Sequence, residues 1–256
     1  MQVLPGLAIA AAGASAGVIN AIVGSGSLIT FPVLLALGYP PLTANISNNI
    51  GLVPGGVSGT WGYRRELSGQ RPVLRRLIPM SVLGSITGAL LLLRLPPAAF
   101  EAIVPVLIGI AVVLVLIQPR IASRAASRRA RDGRTAAHIG PLAMGAVLLA
   151  GMYGGYFGAA QGVLLIGMLG AVLVESLQVI NAIKNLLTLL VNSIAAVTFV
   201  VVAPQEVDWA VVVLIAAGSL TGGLAGAWVG RRLPARVLRG VVVVIGLIAM
   251  TRLLTT

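Results

Sequence analysis

The residues best placed to do chemistry are a row of amides with one ammonium beside it. Asn181, Asn185, Thr188 and Asn192 step by four, three and four residues, so a helix carries them as one stripe, with Lys184 alongside. Asn45, Asn48 and Asn49 form a similar turn earlier in the chain. Amide donors with a single ammonium suit a small oxyanion. For each asparagine the competing reading is an interhelical hydrogen bond, worth about 1 kcal/mol or less. Lys184 is harder to explain away, because a lysine inside an apolar helix is costly unless paired or hydrated. Its competing reading is snorkelling, since it lies about two turns from a helix start near Ser176. Glu175 is the nearest candidate counter-ion, and a surface acid at the helix entrance is the simpler reading of it.

Two glycine-rich interruptions precede these stripes. The first is Gly24-Ser25-Gly26-Ser27 and the second runs from Gly154 through Gln161-Gly162. Broken backbone inside a membrane leaves N–H and C=O groups that only protein, water or ligand can satisfy. A half-helix starting after each break would present free N–H donors and a partial positive charge. Two such starts facing each other would form an anion site near the bilayer midplane. Close helix packing is the competing reading of the glycines.

These features occur twice in register. Gly26 and Gly162, Asn45 and Asn181, Asn48 and Lys184, and Asn49 and Asn185 are each separated by the same 136 residues. Asn20 and Tyr156 fall at the ends of the segments before the breaks, placed to close a pocket from either side; Tyr156 also reads as an interface aromatic. GSITGA from Gly84 and GSLTGG from Gly218 extend the match. Gly218, Gly222, Gly226 and Gly230, like Gly84 and Gly88 with Ser81 and Ser85, are spaced for close helix contact. The candidate substrate-binding set is therefore Asn20, Ser25, Gly26, Ser27, Asn45, Asn48 and Asn49 from the first copy. The second copy adds Tyr156, Gln161, Gly162, Asn181, Lys184, Asn185 and Thr188.

The elements that position these residues must lie in lipid. The 256-residue chain is 58% hydrophobic and 9% charged, where a soluble domain would be about a quarter charged. The expected fold is an all-α integral membrane protein of two inverted-topology repeats, each with five apolar elements. In the first copy they fall at 4–22, 27–38, 43–61, 77–93 and 99–118. In the second they fall at 139–157, 161–174, 177–202, 209–230 and 236–254. The second element of each copy is too short for a full span of about 20 residues and reads as a half-helix or one arm of a re-entrant hairpin. The domain division is residues 1–118, a basic cytoplasmic linker at 119–137, and residues 138–256. The linker is either an amphipathic surface helix or a loose tether. Trp61, Tyr63 and Trp209 read as interfacial anchors, and Pro54 as a kink.

Charge sets the expected orientation. Arginine clusters at Arg64–Arg76, Arg120–Arg134 and Arg231–Arg239 belong in the cytoplasm, while the near-neutral loop at Arg94–Glu101 and the acidic loop with Glu206 and Asp208 belong outside. The loops after the two asparagine helices then lie on opposite sides, which requires upside-down copies and puts both termini outside. The net charge of +12 reads as loop retention and contact with anionic lipid, not nucleic-acid binding. The N-terminus lacks the basic region of a cleaved secretory signal. With no cysteine, thiol catalysis, disulfides and thiolate metal sites are excluded, and no pattern asks for a metal or cofactor. No HExxH or GxxxxGK[ST] motif is present, which argues against an enzyme or ATPase.

The stretch GSGSLITFPVLLALGYPP followed by TANISNN, and GYFGAAQGVLLIGML followed by NAIKN, resemble the sulfite exporter TauE/SafE family (the toluene sulfonate uptake permease group). The resemblance covers essentially the whole chain, although typical members have a more glycine-rich first break. It implies secondary transport of sulfite, a sulfonate or sulfoacetate across the bacterial inner membrane, coupled to the proton gradient. The transported anion would carry the proton itself, or Lys184 would. Protons, a small anionic substrate and lipids are the expected partners, and a homodimer is one arrangement open to it. A passive anion channel is the alternative, followed by an intramembrane hydrolase using Ser193 or Ser176 with Lys184.

Overall fold

The computed structural model describes residues 3–132, 139–173 and 175–229, with 240, 243 and 244 beyond them. Nine α-helices make up these residues. They are α1 (Val3–Ile22), α2 (Ser27–Ala36), α3 (Pro41–Gly62), α4 (Arg71–Arg94), α5 (Pro97–Asp132), α6 (Pro141–Tyr156), α7 (Gln161–Val172), α8 (Leu177–Val202) and α9 (Trp209–Val229). No strand occurs among the described residues. The predicted element at 236–254, the third arginine cluster and Gly230 lie outside that set, apart from residues 240, 243 and 244.

Local sequence explains most helix ends. Proline opens α3, α4 and α6, where its missing N–H has no helical acceptor to lose. The Ser176 hydroxyl accepts the Val179 N–H at 3.3 Å and starts α8. Asp208 does the same for α9, accepting the Val211 N–H at 3.0 Å. Two boundaries differ from the sequence reading. Helix α4 starts at Arg71, so arginines of the basic loop form its first turns. Helix α5 runs through Pro119 to Asp132, so the linker begins as helix. A proline disturbs only the turn before it, and the alanines and arginines that follow are good helix formers.

Five helices, α1, α4, α5, α8 and α9, are long and apolar enough to cross a membrane. Large apolar side chains stand exposed along them, as Leu4, Val106, Val201 and Trp228 do, which suits contact with lipid tails. The short helices differ. With ten and twelve residues, α2 and α7 are roughly 15 and 18 Å long and cannot span a hydrocarbon core of about 30 Å. Both are largely buried by the other helices. Trp61 and Trp209 are exposed as expected of anchors, but Tyr63 is not. It follows the end of α3 and is buried in a small cluster with Ala182 of α8 and Ala227 of α9.

The first helix of each half packs against the fourth helix of the other. Helix α1 lies on α9 and α6 on α4. The contacts are backbone to backbone: a Cβ placed on Gly222 would lie 2.0 Å from the Ala14 carbonyl oxygen, and one on Gly88 2.0 Å from that of Met152. Residue numbers rise together along each pair, as in Gly13 on Ile215 and Gly17 on Ser219, so both pairs run in the same direction. The two asparagine helices run oppositely. Near its start α3 meets the segment after α8, through Thr43 to Glu206 and Ser47 to Asp208. Midway, Gly56 of α3 meets Leu189, and near its end Gly59 meets Ala21, whose carbonyl binds Asn181 and Asn185 near the start of α8.

Candidate functional site

The two breaks meet. Between α1 and α2 the chain turns at Gly24, φ +85°; between α6 and α7 it turns at Gly158, φ +78°, and Ala160, φ +61°. Gly24 and Ala160 are equivalent positions in the two copies. The Gly162 N–H donates to the Gly24 carbonyl at 3.0 Å. A Cβ on Gly24 would stand 2.5 Å from the Gly162 Cα, and one on Gly162 equally close to the Gly24 Cα. Neither glycine leaves room for a side chain.

Around this contact the asparagine helices cap the first helix of the opposite copy. The last carbonyls of α1 receive three side chains of α8. Lys184 Nζ donates to Asn20 O at 2.8 Å and Ala21 O at 3.4 Å, while the amides of Asn181 and Asn185 donate to Ala21 O at 3.1 and 3.2 Å. Lys184 is fully buried and satisfied by carbonyls at a helix C-terminus, where a cation is favoured. It does not snorkel. The contacts of Lys184 are these carbonyls, while the Glu175 carboxylate accepts from Gln70 Nε2 at 2.9 Å. Ser176 caps its own helix, while the Lys184 ammonium is bound to the α1 carbonyls.

The first copy caps α6 more sparingly. The Asn45 amide donates to Tyr156 O at 3.0 Å. Asn48, which occupies the position of Lys184, turns instead to α2: it donates to Ser27 Oγ at 3.1 Å and accepts from the Thr30 hydroxyl. The Asn49 amide nitrogen lies 3.9 Å from where a Gly158 Cβ would be.

The predicted site residues therefore gather in two linked clusters. Asn20, Asn181, Lys184 and Asn185 surround the end of α1. Ser27, Asn45, Asn48, Asn49 and Tyr156 surround the end of α6. Gly162 belongs to the contact between the breaks. Gly26 sits against Ala16 and Asn20, and Gln161 packs its amide on Gly154. The helix starts differ from the expectation of free donors: in α7 the N–H groups of Gln161, Gly162 and Val163 all have carbonyl acceptors, and in α2 those of Leu28 and Ile29 do.

What remains unpartnered is a set of buried side-chain atoms. Ser25 Oγ, both ends of the Gln161 amide, Thr188 Oγ1 and the Tyr156 hydroxyl have no hydrogen-bond partner, nor do the amide oxygens of Asn45, Asn49 and Asn181. Ser25 and Gln161 are each only 1% exposed. Leaving such a group unsatisfied costs about 1–3 kcal/mol, so a polar ligand would be favoured among these side chains around the two breaks. Hydroxyl and amide donors there can receive an oxyanion, with the Lys184 charge close by.

Sequence reasoning missed an aromatic wall. Phe31 and Phe157 meet edge to face at 5.2 Å, and Phe100 meets Tyr156 at 5.8 Å. The available signal was scarcity, since the chain has only four phenylalanines and three are here. Among the described residues no cluster of three histidine, cysteine or acidic side chains could hold a metal ion.

A family model described as Sulfite exporter TauE/SafE matches residues 9–253. The Probable membrane transporter protein YfcA of Escherichia coli (strain K12) is 30% identical over 147 residues, 57% of this chain and 52% of that protein. By this alignment the chain spans about half the length of these relatives. The Probable membrane transporter protein ORF9 of Sinorhizobium sp is 28% identical over 93% of this chain and 88% of its own length. A Probable membrane transporter protein of Haemophilus influenzae is 28% identical over 57% of this chain and 55% of its own. No solved structure gives a significant match.

Proposed function

Because the chain belongs to the sulfite exporter TauE/SafE family of membrane transporters, we propose that it moves a small sulfur-containing anion, of the sulfite, sulfonate or sulfoacetate type, by alternating access. One observation carries this reading: two helix breaks touch at Gly24 and Gly162 amid buried, unpartnered Ser25, Gln161 and Thr188 side chains. Water-excluded donors close to a fixed ammonium favour an anion over a neutral solute. The positive ends of α2 and α7 add to that field.

The halves insert in opposite senses, with the ends of the chain outside and the arginine loops in the cytoplasm of a bacterial inner membrane. Support comes from α3 and α8, equivalent helices that run in opposite directions, and from the arginine distribution. Transport proceeds by relative movement of the halves about the Gly24–Gly162 contact, so that the anion meets each side in turn. A proton accompanies the anion, carried by the substrate itself, because Lys184 is fixed on the α1 carbonyls.

Proteoliposomes loaded with sulfite, sulfate, taurine or sulfoacetate test this. Saturable flux of at least one sulfur anion, with counterflow and a response to an imposed pH gradient, is expected. Flux without saturation or counterflow identifies a passive channel. Failure of every sulfur anion to move rejects the substrate class.

A further inference from the structure

We propose that the end of α6, which the first copy caps, is a binding site for a small monovalent cation of sodium size, held by the amide oxygens of Asn45 and Asn49 and the Tyr156 carbonyl. The site lies beside the anion site and rests on the reading of the two breaks as the transport centre.

The second copy shows what this position holds when it is complete. There a helix C-terminus, with its partial negative charge, meets a full positive charge: Lys184 Nζ sits 2.8 Å from Asn20 O. Tyr156 is the counterpart of Asn20, and Asn45, Asn48 and Asn49 are the counterparts of Asn181, Lys184 and Asn185. In the first copy the lysine position is Asn48, which is neutral and turned away to Ser27 and Thr30. The C-terminus of α6 thus has the same partial charge, in the same low-dielectric setting, and no side-chain cation at the position that supplies one in the second copy.

The oxygens left there are of the right kind. Asn45 Oδ1 and Asn49 Oδ1 are buried without a partner, on residues 2% and 5% exposed. The Asn45 amide is oriented by its own bond to Tyr156 O, which leaves its oxygen free to face a ligand. The Asn49 amide sits just past the end of α6, its nitrogen 3.9 Å from where a Gly158 Cβ would be. Neutral amide and carbonyl oxygens are too weakly basic to hold a proton. They are hard ligands for a cation, and with no carboxylate among them they suit a single charge better than a double one. Unwound carbonyls at a half-helix C-terminus are a general means of coordinating such an ion.

Binding can be read without any transport, on full-length protein purified in detergent. Melting temperature is measured in sodium chloride, potassium chloride and N-methylglucamine chloride at equal ionic strength, alongside saturable binding of radioactive sodium. Sodium should raise the wild-type midpoint by about 3 °C or more. Asn49→Leu removes one ligand and should lose that increment. Asn48→Lys places a tethered ammonium where the second copy has one; it should abolish radioactive sodium binding and keep a cation-independent midpoint. Because Asn48→Lys adds the missing charge, it remains informative if Asn49→Leu does not fold. A wild-type protein that neither sodium nor potassium stabilises, or a sodium increment undiminished in both variants, overturns the proposal. Neither result bears on whether the protein moves sulfur anions, which the proteoliposome assay decides separately.

Discussion

The two halves use one backbone plan and two different chemistries. In both, the first helix packs on the fourth helix of the other half through glycine, and its last carbonyls are capped by asparagines from across the molecule. They part in charge at one position: residue 184 is a lysine donating to α1, while residue 48 is an asparagine bonded to its own α2. Equal packing in the two halves suits an element that must be stable in either of two arrangements. A ligand can shift an equilibrium between two conformations only through a difference in its affinity for them, and unequal charge in the halves is one source of such a difference.

The strongest way to break the comparison is through packing. Gly88→Val and Gly222→Val each force side-chain atoms onto a carbonyl that would already stand 2.0 Å from a Cβ. Each should destabilise the protein by about 3 kcal/mol, and by similar amounts, in chemical or thermal unfolding from detergent. If one were tolerated and the other not, the halves would not be packed alike.

A smaller set of variants sharpens the chemical difference. Lys184→Met removes the only charge at the end of α1 among the described contacts, and hydrogen bonds to a charged group are worth about 3 kcal/mol. Anion flux in proteoliposomes should fall roughly 100-fold. Asn48→Met removes neutral hydrogen bonds worth about 1 kcal/mol, for a loss of roughly 5-fold. Stability of Lys184→Met should change less than its flux, because a buried charge is itself costly and an apolar replacement of similar volume is tolerated. Equal losses of flux would mean that the two copies contribute equally, and the asymmetry would lose its functional meaning.

Much of this was legible in the residues. The 136-residue offset, the breaks and the amide stripes are local patterns, and helical periodicity shows which side chains share a face. What a face meets is not local. The partners of Asn45 and Lys184 lie 111 and 164 residues away, and no spacing within α3 or α8 announces that their donors would turn to backbone carbonyls. For the linker the sequence left a surface helix and a loose tether open, and α5 continues past Pro119 because a proline's clash is confined to the turn before it. Tyr63 was misread because an aromatic at a helix end looks the same whether it faces lipid headgroups or tucks beneath two neighbouring helices.

The finest difference between the copies is one methyl group at the turn. Gly24 and Ala160 occupy equivalent left-handed positions, at φ +85° and +61°. Glycine is required at the first, where a Cβ would lie 2.5 Å from the Gly162 Cα. At the second an alanine is held in a conformation that costs an L-residue about 1–2 kcal/mol. Ala160→Gly relieves that strain, and the entropy glycine loses on folding offsets about half of it. The variant should be more stable by about 0.5–1 kcal/mol, a rise of about 2–3 °C in melting temperature. The methyl group is fully buried, however, and its lost packing works against the gain. A fall in melting temperature would show that burial outweighs strain at this turn. Ala160 would then be a packing residue that happens to tolerate the left-handed region, and only the first copy would need glycine for its conformation.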